Sequence, residues 1–194
     1  MLRSGSKYDE IAKLVISIYL DYGITEFPVD VFSVCKKLNI KLVPYSEFSE
    51  PELSLLNKLS KDAFYVPATK TSPFAIYYND NLQEVQSEGR IRFSILHELK
   101  HYVCNEQEET DEGEDLADYF AKYFLCPIPV LIVKKIYNQS DIISDFKVSA
   151  SVAGFVSENL QNRRRKYDDS LFKYEQPLIR FLFGDEYLKR GDVL

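Results

Sequence analysis

The pentapeptide His97-Glu-Leu-Lys-His101 limits most strongly what this chain can be. Residues four apart share one face of a helix, so the two imidazoles can bind one tetrahedral metal ion at distances near ~2.0–2.1 Å. Glu98 follows the first histidine and can reach a water on the metal without being a ligand itself. No proline or glycine interrupts residues 90–104, and their apolar spacing predicts a helix.

A third ligand is needed to distinguish this motif from a chance match, and it must be Asp, Glu or Cys because the chain has no other histidine. The next predicted helix carries Glu114, Ala117, Asp118 and Ala121 on one stripe. We predict Glu114 as the third ligand and Asp118 as the hydrogen-bond acceptor for one histidine. The other acids before Glu114 are interpreted as a solvated loop: Glu106, Glu108, Glu109, Asp111 and Glu112.

Composition narrows the class of protein. The chain has 194 residues, 45% of them hydrophobic, which is enough for a buried core. Its net charge of −6 argues against a nucleic-acid binder. Three cysteines without CxxC spacing predict buried free thiols in a reducing compartment. The apolar run at residues 11–20 is too short to span a bilayer, so we expect a cytoplasmic protein that does not contact a membrane.

The pattern along the chain predicts a single α+β domain. Its parts are an N-terminal helical part (1–48), a core with the sheet and metal site (49–135) and a C-terminal helical part (136–194). In the first part, Pro28 is expected in the first turn of the second helix.

Two further stretches carry interpretations of their own. Residues 49–80 are polar and loop-rich until two strands, 63–66 and 74–78, which are predicted to form a hairpin. The basic cluster at residues 163–166 is interpreted as a solvated helix face, with a docking patch for an acidic partner as the alternative.

Two longer segments resemble the ImmA/IrrE metallopeptidases, a branch of the gluzincins. Arg92-Phe-Ser-Ile-Leu-His97-Glu-Leu-Lys-His101 is similar to their motif helix. Glu114-Asp-Leu-Ala-Asp-Tyr-Phe-Ala-Lys-Tyr-Phe-Leu-Cys-Pro127 is similar to their E-x-x-A-[ND]-x-F-A-x-x-L-L-x-P segment. Phe27-Pro-Val-Asp30 and residues 38–45 resemble their N-terminal element, so the resemblance covers roughly residues 8–135.

The resemblance implies a zincin-like fold, in which a small β-sheet packs on the motif helix and the third-ligand helix. It implies a zinc endopeptidase in which His97, His101 and Glu114 bind the metal and Glu98 is the catalytic base. Manganese is the alternative metal, because it also accepts imidazole and carboxylate ligands. At three positions the chain departs from the family pattern, and these are expected to alter substrate fit rather than metal binding: Lys100, Phe124 and Cys126.

The resemblance also implies a substrate. Family members commonly inactivate a helix-turn-helix repressor by one specific cleavage and are often encoded on mobile genetic elements or linked to stress responses. A repressor is therefore the expected protein partner, with no direct binding to nucleic acid. The alternative is a non-catalytic regulatory protein that sequesters the repressor and uses the metal structurally.

Candidate contacts to the reacting peptide are less sharply defined. An oxyanion needs a donor besides the metal, and tyrosine is the substitute where no histidine remains. Tyr77, Tyr78 and Tyr123 are the candidates. By analogy with the family, residues 77–79, including Asn79, are expected to form the sheet edge along which an extended substrate lies.

Overall fold

The computed structural model describes residues 7–81, 88–106 and 110–188, and the prediction of an α+β fold is confirmed. The helices are α1 (Lys7–Asp21), α2 (Val31–Lys37), α3 (Glu50–Leu59), α4 (Glu88–Val103), α5 (Asp111–Leu125), α6 (Ile128–Lys134), α7 (Gln139–Phe146), α8 (Ala150–Tyr167) and α9 (Gln176–Phe183). The strands are β1 (Lys41–Pro44), β2 (Ala63–Val66) and β3 (Ala75–Tyr78).

The chain divides into two compact units. One comprises residues 30–121 and holds the sheet, α4 and every predicted metal ligand; the other comprises residues 1–29 and 122–194. These limits differ from the predicted divisions at residues 48 and 135. The single-domain organisation stays a prediction.

The sheet in the unit of residues 30–121 has the order β1-β3-β2 within the described residues. β2 and β3 form the predicted antiparallel pair, with Tyr65 opposite Ile76, while β1 runs parallel to β3. The helix α4 packs on β2 and β3, and its apolar stripe, which includes Ile95, Leu96 and Leu99, is fully buried. By helical phase, the two histidines lie on the other side of α4 from this stripe.

Two local expectations were wrong. Residues 50–59 form α3 instead of a loop, because Ser49 and Glu52 make a capping box: the amide and the hydroxyl of Ser49 donate to Glu52 Oε2 at 2.9 and 2.6 Å. Pro28 lies before α2, whose N-cap is Asp30, and its peptide bond with Phe27 is cis. Asp30, and not Pro28, marks the start of α2, because its Oδ1 accepts a hydrogen bond from the amide of Ser33 at 3.0 Å.

The other unit contains a buried ion pair where the sequence suggested a solvated basic face. Arg163 donates from two nitrogens to the carboxylate of Glu175, both at 2.6 Å, and Glu175 is fully buried. The amide of Phe172 and the hydroxyl of Tyr123 also donate to Glu175, at 2.8 and 3.4 Å. Arg163 is therefore part of the internal structure and not of a docking patch.

Glu175→Ala is expected to lower the free energy of unfolding by about 3–5 kcal/mol, because it leaves the Arg163 guanidinium buried without its counter-charge. Urea denaturation would measure this change. Asp185→Ala is the control, since it removes an exposed ion pair with Arg180 and should cost less than about 1 kcal/mol. Equal effects of the two substitutions would contradict a structural role for the buried pair.

One helical stretch among the described residues, 111–134, is long and apolar enough to cross a membrane, but 67% of its most apolar window is buried in the protein. It consists of α5 and α6, separated at residues 126–127, and neither helix reaches the ~20 residues that a membrane span needs. These are the properties of core helices in a soluble protein.

Candidate metal centre

Three side chains from α4 and α5 converge. His97 Nε2 lies 3.0 Å from Glu114 Oε2, and His101 Nε2 lies 3.4 Å from Glu114 Oε1. One ligand atom from each residue can be chosen so that all three lie within 4.8 Å of one another. A tetrahedral ion with bonds near ~2.0–2.1 Å needs ligand atoms about 3.3 Å apart. The spacing of these three groups therefore fits a zinc-sized ion.

The second nitrogen of each imidazole faces a carboxylate. His97 Nδ1 lies 3.1 Å from Asp118 Oδ1, and His101 Nδ1 lies 2.8 Å from Glu106 Oε2. Because a carboxylate accepts hydrogen bonds, both Nδ1 atoms carry the proton in a neutral ring. Each Nε2 then presents a lone pair, and so does the Glu114 carboxylate that faces it. Acceptors that converge in this way call for a cation between them, and this donor set fits a metal such as zinc.

The site is open on one side. The His101 side chain is only 3% exposed, whereas the carboxylate side chain of Glu114 is 47% exposed. Burial lowers the pKa of His97, but its hydrogen bond with Asp118 and the nearby charges of Glu98 and Glu114 raise it above its usual value. Glu98 directly follows His97 on α4, and its charge acts on His97. A substrate can thus approach these three groups from solvent.

Tyr45, which lies directly after β1, is also affected by the charge of Glu98. Burial, followed by the charges of Glu98 and Asp62, raises the pKa of Tyr45 to about 12. Its hydroxyl stays protonated and donates to the carbonyl of Ser60 at 3.1 Å. The charge of Glu98 thus acts on both His97 and Tyr45.

Two polar residues at the site were missed by the sequence analysis. Glu106 was assigned to a solvated loop, but its carboxylate holds His101 and accepts a hydrogen bond from Lys100. Lys100 was expected to affect substrate fit, but it is fully buried and cannot contact a substrate. Of the other acids in that loop assignment, Glu108 and Glu109 lie outside the described residues, while Asp111 and Glu112 are exposed.

The end of α4 explains where Glu106 lies. Asn105 adopts a positive φ of 50°, its amide donates to the carbonyl of Tyr102, and the amide of Glu106 donates to the carbonyl of His101, both at 3.0 Å. This is the Schellman pattern, in which the second residue after the cap returns over the last helical turn. Asparagine at such a position is the sequence signal that would have placed Glu106 over His101.

The sheet does not have the predicted edge. β3 is paired on both sides, so the expectation that residues 77–79 form a substrate-binding edge is wrong. The Tyr65 ring stacks on His101 at 5.3 Å, and Tyr65 lies opposite Ile76, so this face of the sheet looks toward the metal centre. Because side chains alternate, Tyr77 projects from the other face, where its ring stacks on Phe64 at 5.1 Å. This position does not favour Tyr77 as an oxyanion donor.

The remaining candidate contacts have diverse surroundings. Tyr78 lies on the face of Ile76, and its ring meets Phe32 edge-on at 5.7 Å. Asn79 donates to the carbonyl of Lys61 at 2.9 Å and lines a mainly polar cavity of about 390 Å³ together with Ser94, which precedes Glu98 by one helical turn. The hydroxyl of the buried Tyr123 is engaged with Glu175. Their roles toward a substrate stay predictions.

A helix with two histidines and a neighbouring glutamate, followed by a helix that carries a third acid, defines the site as that of a metallopeptidase in an α+β zincin-like fold. Residues 62–156 match the IrrE N-terminal-like domain, a peptidase family, and they include His97, Glu98, His101 and Glu114. The resemblance to the ImmA/IrrE family inferred from the sequence is thus confirmed over these residues. No curated protein and no solved structure matches the chain significantly.

Asp118→Ala is expected to lower zinc affinity about 10–100-fold, because His97 loses the acceptor that orients its ring. Competition with a chromophoric chelator would measure the change. Asp115→Ala is the matched control: Asp115 is an exposed acid on the same helix and should leave the affinity unchanged. The same loss in both variants would show that general charge, not the hydrogen bond to His97, sets the affinity.

Proposed function

We propose that this protein is a zinc-dependent endopeptidase, with His97, His101 and Glu114 as the metal ligands and Glu98 as the catalytic base. The observation that carries the proposal is the convergence of His97, His101 and Glu114, with Glu98 directly after His97 on the same helix. Three protein ligands leave a coordination position open, whereas structural zinc sites are normally closed by four. The exposure of Glu114 also fits a site that must admit a peptide.

In this reaction the protein supplies position and proton transfer. Bound zinc would polarise the peptide carbonyl and would lower the pKa of a coordinated water toward about 7. Glu98 takes the proton from the attacking water and passes it to the nitrogen of the leaving amine. Asp118 and Glu106 hold the Nδ1 atoms of the two histidines, so each Nε2 stays turned toward Glu114.

We propose a helix-turn-helix transcriptional repressor as the substrate, cut at one site to derepress a mobile element or a stress regulon. The resemblance to the ImmA/IrrE family supports this substrate class. The polar cavity next to Asn79 and Ser94 is a candidate site for a polar substrate side chain. Manganese is the alternative metal, and metal analysis of the purified protein would distinguish it from zinc.

The test is incubation of the purified protein with candidate repressors, with zinc, without zinc and with manganese, followed by mass spectrometry of the products. A single zinc-dependent cut in one repressor is the expected result. Glu98→Gln serves as the control for a contaminating protease, since it should not cut. Stable binding to a repressor without a cut, in zinc-loaded protein, would favour the non-catalytic regulator instead.

A further inference from the structure

Lys100 lies inside the metal-binding motif, between the two histidines, and its side chain is fully buried. A buried lysine is rare unless it is paired, because removing an ammonium group from water is costly. Its Nζ donates to Glu106 Oε1 and, at 2.9 Å, to the carbonyl of Gly113. The charge is therefore compensated within the unit of residues 30–121.

Each of the two partners of Lys100 is next to a proposed metal ligand, one by a hydrogen bond and the other in the chain. Glu106 uses one carboxylate oxygen for Lys100 and the other for His101 Nδ1, at 2.8 Å. Gly113 directly precedes Glu114 at the start of α5. One ammonium group thus connects α4, the turn after it and the start of the helix that carries the third ligand.

The space beside the Cα atom of Gly113 is limited by three neighbouring side chains. A Cβ atom on Gly113 would lie 3.0 Å from Thr110 Oγ1, 3.5 Å from Glu106 Oε2 and 3.8 Å from Lys100 Nζ. Thr110, Glu106 and Lys100 thus surround the backbone of Gly113.

We propose that Lys100 is a positioning residue for the metal centre, which it acts on by holding Glu106 against His101 and by anchoring the backbone next to Glu114. This inference rests on the proposed metal site. It assigns a role to a position that the sequence suggested would matter only for substrate fit. Lys100 touches neither substrate nor metal, and its effect is transmitted through Glu106 and Gly113.

A purely electrostatic role and a positioning role of Lys100 predict opposite changes in metal affinity when Lys100 is replaced. By Coulomb's law alone, removing a cation near a bound dication should raise the metal affinity. Loss of the anchor should lower it, because Glu106 and the start of α5 are released. The sign of the change therefore separates a positioning role from a purely electrostatic one.

The experiment measures zinc affinity by chelator competition in the full-length protein, for Lys100→Met, Glu106→Gln and the double variant. Each single variant is expected to bind about 10–100-fold more weakly. The double variant should lose much less than the product of the two single losses, because both act through one contact. Lys36→Met and Glu112→Gln are matched controls at exposed positions and should bind zinc normally.

A spectroscopic readout covers the case in which Lys100→Met fails to fold. The d–d bands of the cobalt-substituted protein report ligand geometry, and they should shift in folded Glu106→Gln but not in the controls. Wild-type affinity and an unchanged cobalt spectrum in folded Glu106→Gln, or tighter zinc binding by Lys100→Met, would overturn the proposal. Failure of the wild-type protein to bind any metal would instead defeat the proposed function on which it rests.

Discussion

Replacing Glu98 by glutamine is expected to lower peptidase activity by about 10²–10⁴-fold while leaving the metal bound and the protein folded. Glutamine has nearly the same shape but cannot take a proton from water at neutral pH. Glu98 is not among the three groups that converge, so its loss should not remove a ligand. The result would distinguish a base beside the metal from a ligand of the metal.

The measurement is the single-turnover rate of cleavage of a verified substrate, together with the zinc content of each preparation. Glu112→Gln is the matched control, since it makes the same chemical change at an exposed position on α5. It should retain both zinc and activity. Near-normal cleavage by Glu98→Gln would overturn the assignment of the base, and loss of its zinc would make Glu98 a ligand.

The motif helix and the helix after it were predictable because their signals are local. The apolar stripe of Ile95, Leu96 and Leu99 sets the rotation of α4, and the same periodicity places Glu114 and Asp118 on one face of α5. Such patterns depend on the helical repeat and need no knowledge of distant contacts. The β2–β3 hairpin was equally accessible, since its strands are close in sequence.

The order of the strands in the sheet could not be predicted from such local signals. β3 lies in the centre because β1, more than 30 residues earlier in the chain, pairs with it in parallel. A parallel neighbour is joined by a crossover connection, so it can be distant in sequence. The sequence of residues 75–78 does not identify which strand pairs with them. The expectation of an edge at Tyr77 and Tyr78 failed for this reason.

The missed helix and the missed carboxylate have a different cause. No residue of α3 is buried, so it lacks a strong apolar stripe, and only the capping box at Ser49 and Glu52 marked it. Glu106 was one acid among several in an acidic segment, and composition favoured a solvated loop. Its position depends on the left-handed backbone of Asn105, a single-residue signal that outweighed the composition of the whole segment.

Glu114→Ala is expected to lower zinc affinity more than about 100-fold, a larger loss than for residues that only orient a ligand. The two oxygens of Glu114 lie 3.0 and 3.4 Å from the Nε2 atoms of His97 and His101, so this carboxylate faces both histidines at once. A neutral methyl group in its place leaves two imidazoles, which cannot complete a three-ligand site. The loss should appear in chelator competition and in the metal content after dialysis.

Glu112→Ala tests whether position or charge is responsible for that loss. Glu112 lies two residues earlier on the same helix, is exposed and carries the same charge, so its removal should change zinc affinity little. Asp118→Ala should fall between the two, because it removes only the acceptor for His97 Nδ1. If Glu112→Ala lost as much affinity as Glu114→Ala, the helical phase that selects Glu114 would be wrong. The histidine pair would still stand, and the third ligand would have to be sought among the other acids.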